Sequence, residues 1–477
     1  MITYDRLFVA GRWTEPSSPE LLDIRSPHDQ AVIGRAAQAL PADVDRAVAA
    51  ARLAFDEGPW PRTAPAERIA AVRRLNALRE AEADRIADLI SAENGSASWF
   101  TRAGQPGLTR QANAYLAAAE RFGWEETLES DTAVRSVVRR EPVGVVAAVI
   151  PWNSPFSAAM AKIVPALLAG NTVVLKVSQE NSLSMGLLAG LLERTGLPEG
   201  VISVLPADRE TSEHLVSHRD VDKVAFTGST RAGRRIAAIA GEQLKRVSLE
   251  LGGKSAALLL PDADVQQAVR GLKFASLLNN GESCIAQTRI LAPRARYEEV
   301  VTALKDLVES LKVGDPADPD TFIGPMVRPD QQQRVRDYIE LGIMEGARLV
   351  TGGPGIPPGL ENGNYVTPTV FADVDNSMRI AQEEIFGPVL VVIAYDDEDD
   401  AVRIANDSEY GLSGGVWSAD AAHALEIARR LRTGTVTVNG AAIAFDGPFG
   451  GHKASGIGRE YGAVGLSQYI EYKTVTV

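Results

Sequence analysis

The chain has almost no cysteine: Cys284 stands alone among 477 residues. One thiol excludes an internal disulfide framework, and with it the small stapled folds of secreted proteins. Long hydrophobic runs are missing too. The longest, such as "VGVVAAVI" at 143–150, fall far short of the roughly 20 residues a membrane helix needs. The opening "MITYDRLFVAGRW" has neither a basic stretch nor the continuous apolar one of an export signal. No Lys/Arg block suggests a nucleic-acid groove, and the net charge of −13 points to solubility rather than to a substrate. No repeat or low-complexity tract is visible. These absences predict a cytoplasmic protein that spans no membrane and binds no nucleic acid.

What is present is 45% hydrophobic residue, in a chain too long for one core, so two or three domains are expected. Residues 66–90 place Ile69, Val72, Leu78, Ile86 and Leu89 at near-helical spacing, with Thr63 and Pro65 as start signals. From Val143 the texture changes to short apolar runs, "VGVVAAVI", "TVVLKV", "VISVL" and "KVAFTG", separated by helical segments such as "NSLSMGLLAGLLERTG". Strands buried on both faces and alternating with helices predict a parallel α/β sheet. A second α/β series begins after residue 254 with "SAALLL" and includes "TVTVNG" at 435–440. Two segments fit neither series: "ETLESDTAVRSVVRREP", and the terminal "SQYIEYKTVTV", which alternates as an edge strand would. Exposed edges pair with other chains, so an oligomer is expected.

Several short stretches could carry chemistry. Cys284 lies in "NNGESCIAQTR", and two readings are open: a small buried hydrophobe, as free cysteines often are, or an accessible loop thiol that must become thiolate to react. "FTGSTRAGRR" follows an apolar strand and opens a helix, with Gly228 and Gly233 placed so that backbone N–H groups could face a phosphate. Glu250 stands about 20 residues further on, where a fingerprint carboxylate would read a ribose. It also precedes the paired glycines of "LELGGKS", in a turn from which a carboxylate can enter a cleft. "PWNSPF" leaves the C-terminal end of a strand, where open α/β sheets bind ligands, and offers Asn153 as a turn residue or an amide donor. Lys176 ends the next strand on the same rim. His214 and His218 are spaced as a helical pair but lack a third ligand and a zinc-protease pattern, so no metal is predicted.

In order and over nearly the whole chain, "PWNSPF", "LAGNTVVLKVS", "FTGST", "LELGGKS", "NNGESC", "EEIFGPV", "PFGGHKASGIGRE" and "YIEYKTVTV" resemble the aldehyde dehydrogenase superfamily. The spacing of Glu250 and Cys284 is similar to that family's general base and nucleophile. The resemblance implies NAD(P)-dependent oxidation of an aldehyde to a carboxylic acid, with Cys284 as nucleophile through a thiohemiacetal and a thioester. Asn153 would be the oxyanion donor and Glu250 the base, rather than a ribose reader. It further implies cofactor contacts at Ile150, Trp152, Lys176, Gln179, Thr227, Gly228, Ser229, Gly233, Glu384 and Phe386. Gln179 departs from the usual glutamate, which repels a 2′-phosphate in NAD-preferring relatives. The resemblance as a whole implies NAD, and Gln179 leaves NADP open. Ser154, Ser157, Ala161, Leu278, Ile443 and Phe449 would line a wide apolar substrate funnel suited to a bulky hydrophobic aldehyde. A CoA-acylating relative would generally do without Glu250, and a non-catalytic structural member would not need the three catalytic residues.

The implied fold is α/β, with a doubly wound parallel-sheet cofactor domain at 1–123 and 143–252 and an α/β catalytic domain at 253–450. A small β oligomerisation arm, 124–142 with 468–477, would make a homodimer or homotetramer.

Overall fold

The computed structural model describes residues 1–129 and 135–477. Its central sheet is built from five parallel strands of mostly β-branched and small apolar residues: Val145–Val149, Thr172–Val177, Ile202–Pro206, Lys223–Thr227 and Arg246–Glu250. Such residues suit strands covered by helices on both faces. The chain enters at Val145–Val149, steps outward through Thr172–Val177 and Ile202–Pro206, then returns to the opposite side for Lys223–Thr227 and Arg246–Glu250. The direction of winding thus reverses between Val145–Val149 and Lys223–Thr227, and ligands bind beyond the carboxyl ends of strands at such a switch point. "PWNSPF" and "TGST" leave from those two ends. The antiparallel strands Leu7–Val9 and Arg12–Thr14 extend one edge, and Gly456–Ile457 the other.

Five residues, "LGGKS", lead from Glu250 to a second, seven-stranded sheet. Its spatial order is Arg348–Gly353, Thr367–Ala372, Val389–Tyr395, Arg289–Pro293, Ala256–Leu259, Gly414–Trp417 and Thr437–Val438, parallel except for the first pair. Glu250 therefore ends a strand of one sheet at the seam with the other. A third sheet is antiparallel, with Ile470–Thr476 at one edge, Arg135–Pro142 in the middle and the fully exposed Glu125–Glu129 at the other edge. Residues 130–134 of the expected arm lie outside the described residues. Among the described residues no helix is long and apolar enough to cross a membrane.

Two elements differ from the sequence expectation. The helical region at 66–90 is two helices, Pro65–Ala81 and Ala83–Asn94, broken at Glu82, where φ is −106° and ψ is 14°. "TVTVNG" yields a strand at Thr437–Val438 alone, because Asn439 and Gly440 turn away at φ 51° and 73°.

Candidate active site

Asn279, Asn280 and Gly281 run through three successive left-handed conformations, at φ 50°, 60° and 75°. For asparagine this is tolerated when its side chain is tied down. The Asn280 amide donates to the carbonyls of Gly95 (2.9 Å) and Pro325 (3.1 Å) and accepts from the Gly324 N–H at 2.7 Å. Asn279 Nδ2 donates to the Asn153 carbonyl at 2.9 Å. The loop carrying Cys284 is thereby fixed both to the "PWNSPF" turn and to the second sheet's surroundings. At Gly281 a Cβ would lie 2.4 Å from the Gly387 carbonyl group. Gly281→Ala is expected to cost about 2–4 kcal/mol, from overpacking and the left-handed backbone together, and thermal unfolding measures it.

Cys284 is half-buried. Burial first, then the carboxylates of Glu384 and Glu250, push its thiol up to about 12. Asn153 is 8% exposed, and its Nδ2 donates to the Glu282 carbonyl at 2.8 Å, two residues from the thiol. Glu250 is 4% exposed, and neither carboxyl oxygen has a hydrogen-bond partner among the described residues. Burial, then Glu460, raise its pKa well above the carboxylate range, while Lys162 and Arg459 oppose the rise. The paired glycines after it have a steric reason. A Cβ at Gly252 would meet Glu384 Oε2 at 2.5 Å, and one at Gly253 would meet the Cys284 carbonyl oxygen at 2.5 Å. The turn is where base, thiol and Glu384 converge.

Lys162 and Glu460 were not singled out by the sequence reading. Lys162, fully buried, pairs with Glu460 at 2.7 Å and donates to Thr227 Oγ1 at 2.6 Å. A signal was available: Lys162 is the one charged residue in the helix Pro155–Ala169, otherwise apolar but for a single serine. A buried ammonium needs a partner.

The residues that could hold a dinucleotide lie along the switch point. The helix Thr230–Glu242 starts there, capped by Ser229, whose Oγ accepts from the Ala232 N–H at 3.3 Å. The Gly228 N–H donates to the Glu250 carbonyl at 3.0 Å and the Gly233 N–H to the Ser229 carbonyl at 2.9 Å, so neither is free to face a phosphate as the sequence suggested; Gly233 instead leaves room for Leu251, whose Cδ2 a Cβ would meet at 2.5 Å. The Ile150 N–H donates to the Lys176 carbonyl at 3.1 Å, so those two strand ends are in register. Burial brings the Lys176 ammonium down to about 8. Gln179 is half-buried, and its neighbour Glu180 is paired with Arg328 at 2.5 Å, whose guanidinium lies 6.0 Å from the Trp152 ring centre. Glu384 accepts from the Gly253 N–H at 3.0 Å, and burial raises its carboxyl to about 7. Phe386, strained at φ 65°, meets Trp152 edge-on at 5.5 Å. A helix N-terminus and a lysine at strand ends of the same sheet, with a buried carboxyl beside Gly253, suit a phosphate-linked, ribose-bearing cofactor.

Of the expected funnel residues, Ser154, Ser157, Leu278, Ile443 and Phe449 are half-buried. Ala161 is 1% exposed and belongs to the core with Tyr115 and Tyr461, so it does not open onto a cavity. His214 and His218 face Asp45 at 2.6 and 3.6 Å, far along the sheet from this cleft.

Comparison with known proteins agrees with the geometry. The model of the aldehyde dehydrogenase family matches residues 13–475. A geranial dehydrogenase of Castellaniella defragrans is 46% identical over 478 residues, 99% of each chain. The fold superimposes on a Mycobacterium tuberculosis aldehyde dehydrogenase complexed with NAD+ at a TM-score of 0.97 and 47% identity, covering 99% of this chain and 98% of that one. A Pseudomonas syringae aldehyde dehydrogenase, solved as a cysteine-to-alanine mutant with NAD+ and octanal, gives 0.95 at 41% identity, covering 99% and 96%. A family match over residues 13–475, together with relatives and folds of this identity over nearly the whole chain, shows that the chain belongs to the aldehyde dehydrogenase family and is an oxidoreductase acting on aldehydes.

Proposed function

We propose that the chain oxidises a bulky hydrophobic aldehyde to its carboxylic acid, with Cys284 as nucleophile, Asn153 as oxyanion donor and Glu250 as general base. Glu250 carries this reading. A buried carboxyl with both oxygens unpartnered among the described residues would be a pure cost to the fold, and beside a thiol it is placed to take a proton from water once it is ionised. Attack by the Cys284 thiolate on the carbonyl carbon gives a thiohemiacetal oxyanion. Asn153 uses one amide proton on Glu282 and has the other for that oxygen, together with the Cys284 N–H. Losing such a donor costs about 2.7–4 kcal/mol of barrier. Bound NAD supplies the hydride acceptor that leaves a thioester on the cysteine. Glu250 then accepts a proton from the water that attacks the thioester, releasing the acid and returning the thiolate.

The cofactor reading is NAD with NADP accepted. Gln179 carries no charge, and the carboxylate of Glu180 is engaged by Arg328, so little repels a 2′-phosphate beside Lys176. Gln179→Glu is expected to lower kcat/KM with NADP about tenfold or more while NAD is little affected, a comparison made by steady-state assay with each cofactor.

The first sheet would belong to the cofactor domain at 1–123 and 143–252, and the second to the catalytic domain at 253–450. Residues 124–142 with 468–477 would be the arm of a homodimer or homotetramer, supported by the exposed edge strand Glu125–Glu129. The relative named for geranial and the neighbour solved with octanal support a long apolar aldehyde, as do Ile443 and Phe449 on the funnel. A panel from acetaldehyde to terpenoid and aromatic aldehydes tests this, and activity that declines with substrate bulk removes the substrate reading.

A further inference from the structure

Ser154 and Ser157, at the start of the helix Pro155–Ala169, are small and half-buried, and an aromatic side chain from another segment lies beside Ser157. That side chain is Tyr461. It is 9% exposed and holds φ 67°, a costly backbone conformation for a bulky residue. Its N–H donates to the Tyr115 hydroxyl at 2.8 Å, and the preceding Glu460 is fixed by Lys162 and by paired backbone hydrogen bonds with Phe449. The surroundings therefore hold a strained residue so that its ring points one way.

That ring lies 5.1 Å from Phe445, edge-on at 66°, and 5.3 Å from Phe449, tilted by 32°. The loop bearing both phenylalanines alternates, with Ile443, Phe445 and Phe449 half-buried and Ala444 and Asp446 exposed. The phenol faces Ser157, and its electrostatic environment includes Glu250 and Cys284. The aromatic group thus borders the space where the reacting carbon must sit.

We propose that Tyr461 is a specificity-determining residue which, with Phe445 and Phe449, forms an aromatic slot that selects planar, conjugated aldehydes over flexible saturated ones of the same size. The inference rests on the reading of a bulky hydrophobic substrate. Ring faces and edges reward a flat π-system, and a conjugated chain enters already extended, whereas a saturated one loses rotamer freedom on entry.

The test compares kcat/KM for cinnamaldehyde and 3-phenylpropanal in wild type, Tyr461→Phe and Tyr461→Leu. Intrinsic reactivity cancels when the ratio is compared between variants. Tyr461→Leu should lower the conjugated-to-saturated ratio roughly three- to tenfold, and Tyr461→Phe should change it less than roughly twofold. Phe445→Leu, on the half-exposed loop, should lower it in the same direction and covers a Tyr461→Leu that folds poorly. A role confined to holding the fold lowers both substrates alike, and an unmoved ratio in Tyr461→Leu and Phe445→Leu overturns the proposal alone. If wild type turns over acetaldehyde but neither aromatic substrate, the substrate reading falls and this inference with it.

Discussion

Cys284→Ala should abolish aldehyde oxidation, lowering kcat/KM by roughly 10⁴-fold or more, while dinucleotide binding, followed by calorimetry, survives. No second thiol exists to take over, since Cys284 is the chain's one cysteine. The pH dependence is equally specific. Burial and the carboxylates of Glu384 and Glu250 push the thiol up to about 12, so the thiolate is a small fraction at neutral pH. Alkylation by iodoacetamide should therefore accelerate about tenfold per pH unit between neutrality and about pH 10, because the thiolate is the nucleophile. Peroxide should inactivate through sulfenic acid, trapped by a dimedone probe, because no resolving cysteine can form an internal disulfide. Substantial dehydrogenase activity in Cys284→Ala would refute the mechanism at its first step.

The central sheet was legible because strands buried on both faces need no polar alternation and read as unbroken runs, as "TVVLKV" and "VISVL" do. The terminal strand was legible from the apolar/polar alternation of "YIEYK", although in the fold Ile470–Thr476 lies at a sheet edge with its last five residues exposed. Features that depend on tertiary neighbours were not. The break at Glu82 has no proline or glycine to announce it, and the two asparagines before Gly281 adopt left-handed backbone with partners far along the chain, Asn153 for Asn279 and Gly95, Gly324 and Pro325 for Asn280. The glycine pair of "LELGGKS" could be read as a turn, but its steric cause lies in Glu384 and Cys284, far along the chain. Ala161 suggested an open funnel wall because a sequence shows the small residue and hides the core around it, where the Tyr115 hydroxyl donates to its carbonyl at 3.3 Å. Lys162 was the avoidable omission: one ammonium in an apolar helix predicts a buried partner, and Glu460 is that partner.

Glu250→Gln should stall after one turnover. Thioester formation does not need this carboxylate, but hydrolysis does, so a burst of reduced cofactor equal to the active sites should precede a steady state slower by about 10²- to 10⁴-fold. Intact-mass measurement should then find the acyl group on Cys284. The wild-type pH profile follows from the sign of the shift. Burial and Glu460 raise the Glu250 carboxyl well above its usual range, and the base acts as carboxylate, so kcat rises with pH as that group deprotonates, wherever hydrolysis limits. The residual rate of Glu250→Gln lacks this limb. The neighbours move it predictably: Glu460→Gln removes a charge that raises the Glu250 pKa and shifts the limb to lower pH, whereas Lys162→Met removes one that lowers it and shifts the limb higher. Opposite displacements by two residues paired at 2.7 Å could not arise from general loosening of the fold. A Glu250→Gln enzyme that shows no burst, or titrates as wild type does, takes Glu250 out of the hydrolytic step.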